Sequence, residues 1–177
     1  KDYKRYRWQE SGVSPRILPG HLGAVLYADS DEHTEAGHIT ESAEVRRRMV
    51  LKRMKKLDGM KKEMASPDIY PSEKAEIVLV GWGSTYGAMQ EAAEVLNAEG
   101  FATQMVHFSE VFPFPSKDFL RNIEDHPRIF AVEQNYTGQF GDLFSFETGL
   151  TVFHKILKYD GRPFFPDELR KELLKIK

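Results

Sequence analysis

Cysteine is absent from the 177-residue sequence. Disulfide bonds, thiolate zinc sites, cysteine nucleophiles and cysteine-ligated iron–sulfur clusters are therefore excluded within this chain. Long apolar runs are absent too, since no stretch approaches the roughly 18 uninterrupted apolar residues that a membrane helix needs. The polar opening from Lys1 to Glu10 does not resemble a secretory signal. We therefore expect a cytoplasmic protein with no membrane partner.

A large net charge is also missing, because the whole sequence carries only −2 at pH 7. Residues 46–62 nevertheless hold nine Lys or Arg and a single acid, Asp58. This balance disfavours a uniformly basic nucleic-acid protein, although the basic segment leaves a local nucleic-acid site as one alternative. No aromatic side chains are interleaved with these charges, as the stacking of single strands would require. We expect a helix face that meets water or an acidic protein, and no nucleic-acid partner.

The first 71 residues are predicted to form an arm and an amphipathic linker helix. Residues 1–40 lack regular periodicity, which predicts an extended arm. The sequence begins with Lys1 rather than Met, so we expect a piece of a longer protein. One short strand is expected near Ala24 to Ala28. Good helix formers run from Thr40 to Met64, and two prolines follow. Apolar residues recur at helical spacing at Val50, Met54, Leu57, Met60 and Met64.

Residues 72–177 are predicted to form one α/β domain, because apolar runs of strand length alternate with helical patterns. The predicted strands are Ala75 to Val80, Phe101 to Phe108, Arg128 to Val132 and Thr151 to Tyr159. The predicted helices are Thr85 to Glu99, Ser116 to Glu124, Gln139 to Gly149, with Leu143, Phe144 and Phe146 inward, and Pro166 to Ile176. Such an alternation favours right-handed crossovers, and so a three-layer, doubly wound and mostly parallel sheet.

Ligands of such sheets bind beyond the carboxyl ends of the strands. Those ends are predicted at Gly81 to Ser84, His107 to Glu110 and Glu133 to Gly138. The turn from Gly81 to Gly87 suggests a nucleotide- or coenzyme-binding module as an alternative function. Its pattern is incomplete, however, because Tyr86 stands where the dinucleotide fingerprint has its third glycine, and no Walker lysine follows. A tight strand-to-helix turn explains the same glycines.

Two other segments carry chemically versatile side chains. Residues 29–38 are rich in Asp, Glu and His, but their spacing matches neither a calcium loop nor a helical zinc motif. We therefore predict a polar surface turn and no metal site. Residues 133–138 place five polar side chains and a glycine at a strand end, directly before a helix whose amides can bind an anion. For this loop a functional site and a satisfied helix cap both remain open. No catalytic residues are assigned, since the histidines pair with no recognisable nucleophile.

Several segments together resemble the C-terminal part of the alpha subunit of 2-oxoacid:ferredoxin oxidoreductases. These segments are Ser14 to Gly20, Asp31 to His33, Gly37 to Glu41, Arg53 to Leu57, Val132 to Gln139 and Lys158 to Phe164. They occur in the right order over nearly the whole chain. In that family the region is similar to the transketolase C-terminal domain, and we expect the same fold for residues 72–177.

The resemblance implies a holoenzyme that decarboxylates a 2-oxo acid on thiamine diphosphate with Mg, transfers the acyl group to coenzyme A, and reduces ferredoxin through iron–sulfur clusters. It also implies a beta subunit, and a gamma subunit as a further candidate, as partners. The family's Tyr-Pro-Ile-Thr-Pro motif belongs to an earlier domain and is missing here. No cofactor is therefore assigned to this chain, which is expected to serve in structure and assembly and to be inactive alone.

The residues expected to face a neighbouring domain or subunit come from the arm and from the loop at residues 133–139. They are Arg16, His33, Glu133, Gln134, Asn135, Tyr136 and Gln139. Alanine at Asn135 and Tyr136 is expected to weaken assembly or turnover while leaving the isolated fold intact.

Overall fold

The computed structural model describes residues 3–18, 20–21, 25–71, 73–123, 125 and 127–176. Two compact units are present, Lys1–Glu63 and Met64–Lys177. The sequence instead predicts a division after residue 71, because Pro67 and Pro71 mark the end of the linker. Within the described residues, no helix combines the length and the apolar character needed to span a membrane.

The first unit consists of an irregular arm and helix α1 (Ala43–Glu63), which confirms the predicted long helix. Ser42 caps the helix, as its hydroxyl accepts a hydrogen bond from the Val45 amide at 3.3 Å. The strand predicted near Ala24 to Ala28 is not found, since residues 25–28 form none. Ala24 itself lies outside the described residues.

The arm covers one side of α1. Met49 and Lys52 are buried there, with 3% and 5% of their surface exposed. Gly12, at φ +77°, lies so close to the Lys52 carbonyl that a Cβ atom would collide with it. The apolar residues on the other side, among them Val50 and Met54, stay exposed. The helix therefore has two surfaces, and only one is covered within this unit.

An ion pair joins the arm to α1. Both oxygens of Glu32 accept hydrogen bonds from Arg53, at 3.1 and 2.8 Å, and the Glu32 side chain is 8% exposed. These hydrogen bonds lower the pKa of Glu32 from 4.5 to about 2. Because the folded pKa is the lower one, this contact stabilises the unit fully above pH 4.5. The stabilisation is lost as the pH falls from about 4.5 towards 2.

Replacing Arg53 with methionine is expected to raise the pKa of Glu32 towards 4.5, because the main hydrogen-bond donor is removed. The check is a titration of the Glu32 carboxyl carbon by NMR. Arg47→Met serves as the control, since Arg47 lies on the same helix, is exposed and makes no described contact with Glu32. An unchanged Glu32 pKa in Arg53→Met would show that the pair does not set it.

The second unit contains five strands in the order β1-β3-β2-β4-β5. They are β1 (Asp68–Tyr70), β2 (Ile77–Trp82), β3 (Thr103–Phe108), β4 (Arg128–Glu133) and β5 (Val152–Leu157). Strands β2 to β5 are parallel to one another, whereas β1 pairs with β3 in the antiparallel sense. The prediction of a mostly parallel sheet is confirmed.

Helices cover both faces of this sheet, so the predicted three-layer arrangement is also confirmed. Helices α2 (Tyr86–Ala98) and α4 (Pro166–Lys175) pack on one face, over a core that includes Leu79, Met105 and Phe130. Helix α3 (Gln139–Thr148) and a 3-10 helix at Lys117–Asn122 cover the other face. Each crossover therefore places its helix against the sheet and leaves the strand ends accessible to loops.

Three details differ from the prediction. Strand β1 was not expected, because three residues between two prolines are too short for a periodic signal. The helix predicted from Ser116 is a 3-10 helix capped by that serine, and Glu124, its predicted end, lies outside the described residues. Phe146 points outwards with 84% of its surface exposed, whereas Phe140 and Phe144 are buried. At 100° per residue, Phe146 lies about 120° away from Phe140 around the helix, which explains the error.

Candidate functional site

The carboxyl ends of β2, β3 and β4 meet at one edge of the sheet, as predicted from the parallel topology. The Ser84 hydroxyl donates a hydrogen bond of 2.7 Å to Gln134 Oε1, which links the ends of β2 and β4. The Gln134 amide in turn donates to the Arg162 carbonyl at 3.1 Å. These bonds assemble loops from three parts of the chain into one surface, which we call the carboxyl edge.

The glycine turn after β2 is a compact strand-to-helix connection. Gly81 is buried, and a Cβ atom there would collide with the Met89 sulfur. Gly83 adopts φ +61°, and the Thr85 hydroxyl donates to the Trp82 carbonyl at 3.0 Å. Close packing and a left-handed backbone thus account for these glycines. An open cavity of about 230 Å³ lies beside the turn and is lined by Trp82, Gly83, Ser84, Thr85 and Gln134.

Glu133 and Asn135 hold the following loop in place. Glu133 is completely buried, and its carboxyl oxygens accept hydrogen bonds from the amides of Phe140 at 3.0 Å and Gly141 at 2.8 Å. Asn135 donates to Glu133 at 2.7 Å and accepts from the Gly138 amide at 2.6 Å. Two amides in the first turn of α3 are therefore already bonded to an internal carboxyl group. Of the two alternatives that the sequence leaves open, the satisfied helix cap describes these two amides.

The other three candidates of this loop point outwards. Gln134, Tyr136 and Gln139 are exposed, and Tyr136 keeps 71% of its surface accessible. The Tyr136 ring meets Tyr159 edge to face, with 5.0 Å between the ring centroids. Glu133 and Asn135 thus hold the loop, Gln134 ties it to Ser84 and Arg162, and Tyr136 and Gln139 are the side chains that it presents. Since Asn135 holds the loop, its replacement is expected to damage the fold, and the double alanine variant considered above is unsuitable.

The arm candidates lie in the first unit. Arg16 is exposed. His33 is half-buried, stacks on Tyr6 with 3.7 Å between ring centroids, and its Nδ1 lies 3.1 Å from the Thr34 carbonyl. His33 therefore has a clear role in folding the arm. Among the described residues, no three His, Asp or Glu side chains are grouped as a metal site would require.

His107 is a residue of the carboxyl edge that sequence reasoning did not select. Only 5% of its surface is exposed, its Nε2 lies 2.9 Å from the Gly83 carbonyl, and the Tyr86 ring packs against it edge to face. Burial lowers the pKa of His107 below its usual value of 6.5. In the sequence, the position of His107 at the predicted end of β3 is the feature that could have identified it. Its contacts brace the glycine turn, so we assign it a positioning role in the fold.

Comparisons with known proteins identify relatives over nearly the whole chain. A family model described as pyruvate:ferredoxin oxidoreductase core domain II matches residues 75–169. The alpha subunit of 2-oxoacid:ferredoxin oxidoreductase 1 from Sulfurisphaera tokodaii is 37% identical, over 98% of this chain and 27% of the relative. The corresponding alpha subunit from Saccharolobus solfataricus is 34% identical, over 96% of this chain and 27% of the relative.

A solved structure agrees with these relatives. The 2-oxoglutarate:ferredoxin oxidoreductase from Magnetococcus marinus, with 2-oxoglutarate, coenzyme A and succinyl-CoA bound, superposes with a TM-score of 0.75 and 26% identity. The match covers 98% of this chain and 30% of that chain. The present chain thus spans less than a third of its relatives' length. It belongs to the pyruvate:ferredoxin oxidoreductase core domain II family, and its relatives are alpha subunits of 2-oxoacid:ferredoxin oxidoreductases.

Proposed function

We propose that this chain is the structural and assembly domain of the alpha subunit of a 2-oxoacid:ferredoxin oxidoreductase. The holoenzyme would oxidatively decarboxylate a 2-oxo acid to an acyl-CoA and reduce ferredoxin. The names of the alpha-subunit relatives and the match over 98% of this chain support this assignment. Its partners would be a beta subunit, with a gamma subunit as a further candidate, and ferredoxin reached through the holoenzyme.

The residues of this chain do not fit the cofactors of such an enzyme. Iron–sulfur clusters need thiolates, and the sequence has no cysteine. Among the described residues no three His, Asp or Glu side chains are grouped around a common point, and Glu133 occupies two first-turn amides of α3. Thiamine diphosphate, Mg and the clusters are therefore assigned to other parts of the assembly.

A rigid loop that presents exposed side chains is the observation that carries the assembly role. Burying Glu133 inside the loop removes a carboxyl group from water, and three hydrogen bonds offset that cost. The same network fixes the backbone from which Tyr136 and Gln139 project. A pre-organised loop loses little conformational entropy when it binds a partner. The carboxyl edge is accordingly suited to meeting another polypeptide.

Changing both Tyr136 and Gln139 to alanine is expected to reduce 2-oxo acid-dependent ferredoxin reduction by the reconstituted holoenzyme, or its yield, by about tenfold or more. Both side chains are exposed, so the melting temperature of the isolated chain is expected to stay within a few degrees. The measurements are steady-state turnover, the yield of assembled complex by size-exclusion chromatography, and thermal unfolding of the chain.

A matched control replaces two exposed residues of α2, Glu91 and Val95, with alanine. Neither lies at the carboxyl edge, so assembly and turnover are expected to equal those of the unmodified protein. Full assembly and turnover in the Tyr136 and Gln139 variant would contradict the proposed role of the loop. A large fall in both double variants would point to a general loss of stability instead.

A further inference from the structure

The two outer strands of the sheet differ in how they are protected. An unpaired strand edge exposes backbone N–H and C=O groups that attract other strands, and proteins blunt such edges with short strands and proline. Strand β1 has three residues and lies between Pro67 and Pro71. Strand β5 has six residues and no proline, and it exposes 54% of Phe153. The β1 edge is therefore protected against pairing with another strand, whereas the β5 edge is able to pair with one.

A groove of about 440 Å³ runs along the outer edge of β5. Its lining includes the four consecutive residues His154 to Leu157, together with Tyr136, Tyr159 and Glu172. Successive side chains of a strand point to opposite faces of the sheet. A cavity that touches four consecutive residues must therefore straddle the strand edge. The groove is therefore lined by the backbone of β5 as well as by side chains.

The backbone of β5 offers hydrogen bonds to this groove. The Lys158 amide donates to the Glu133 carbonyl at 3.0 Å, so the even-numbered residues of this stretch face β4. Adjacent residues turn their backbone groups to opposite sides, and Lys155 and Leu157 therefore direct theirs outwards. In the described part of the chain no strand pairs with that side of β5. An extended backbone satisfies such a row of groups, as β-augmentation does in peptide recognition.

The groove is continuous with the carboxyl edge, because Tyr136 belongs to both. The exposed pair of Tyr136 and Tyr159 forms an aromatic anchor at its end. A partner that meets the carboxyl edge therefore also reaches β5, which favours another subunit as the occupant.

We propose that an extended segment of another subunit pairs with the outer edge of β5 and adds a strand to this sheet. The partner is a peptide backbone in β conformation that lies in the groove and packs against Tyr159. This inference rests on the proposed role in a multisubunit enzyme, and it adds the binding mode. It makes β5, rather than a loop alone, the element that recognises the partner.

The test is amide hydrogen exchange, read by mass spectrometry, on the full-length subunit alone and in its assembled holoenzyme. Peptides covering β5 are expected to exchange at least about tenfold more slowly in the assembly, because the outward amides of Lys155 and Leu157 become bonded. Fast exchange of β5 in both states would overturn the proposal. Slow exchange of β5 in both states, the isolated monomeric subunit included, would also overturn it, because the groove would then be filled by another segment of the same polypeptide.

Variants make the test specific for the edge. Leu157→Pro removes an outward N–H, which an edge strand tolerates, and Tyr159→Ala removes an exposed anchor without touching the core. Either change is expected to abolish the extra protection of β5. Phe146→Ala, an exposed aromatic residue outside the groove, is expected to leave it intact. If β5 stays protected from exchange in both Tyr159→Ala and Leu157→Pro, strand pairing is contradicted. This result is independent of the proposed function, which the turnover of the Tyr136 and Gln139 variant tests.

Discussion

Replacing Glu133 with alanine is expected to lower the free energy of unfolding by about 4 kcal/mol. The carboxyl group of Glu133 is completely buried and accepts from the amides of Phe140 and Gly141 and from Asn135. Its removal leaves two buried helix amides without an acceptor, and water cannot reach them without opening the turn. Urea denaturation of the 177-residue chain, followed by far-UV circular dichroism, measures the loss.

The matched change is Glu147→Ala on α3. Glu147 is only half-buried and forms no described hydrogen bond, so its replacement is expected to cost about 0.5 kcal/mol or less. A loss at Glu133 as small as the loss at Glu147 would mean that the buried network does not hold the loop. In that case the exposed side chains of the carboxyl edge would also lack a rigid support.

Phe108→Ala is expected to destabilise the second unit by about 4 kcal/mol, because it leaves a cavity at the centre of an aromatic cluster. Phe108 is 1% exposed, and the rings of Phe114, Phe119, Phe140 and Phe144 lie within 5.0 to 6.2 Å of its own. Two of these rings belong to α3. Thermal and urea unfolding, followed by tryptophan fluorescence, report the effect.

Phe146→Ala provides the comparison for that cavity. The same atoms are removed from a side chain that is 84% exposed, so the free energy of unfolding is expected to change by about 0.5 kcal/mol or less. Similar losses from both substitutions would contradict the burial pattern of α3. They would also reopen the prediction from sequence periodicity that placed Phe146 inside.

Sequence patterns predicted the sheet well because β2 and β4 contain continuous apolar runs. The buried stretch from Val78 to Val80 has this character, which indicates a strand covered on both faces, whereas β3 is fully buried although it contains Thr103, Gln104 and His107. Strand β1 escaped prediction because its register against His107 and its neighbours is a tertiary contact, not a periodic pattern. The arm was predicted only as irregular, since Gly12 and Glu32 contact α1 through residues that are distant in sequence.

The candidate site was located from the sequence, but its internal roles were not. Parallel topology correctly placed Glu133 to Gly138 at the carboxyl edge. Which polar side chains of this loop are used internally depends on the positions of the Phe140 and Gly141 amides, and these follow only from the packing of α3 on the sheet. Glu133 and Asn135 therefore could not be separated from Tyr136 and Gln139 by residue type. The resemblance to alpha subunits supplied the family, because fold physics alone identifies no reaction.

Whether this chain needs other polypeptides for chemistry is tested most directly by an assay of ferredoxin reduction with a 2-oxo acid and coenzyme A. The assay compares the purified 177-residue chain with the complete subunit assembly. Turnover by the complete assembly, and none by the chain alone, is the predicted result. Turnover by the chain alone would contradict the proposal that the cofactors of the reaction are held elsewhere in the assembly.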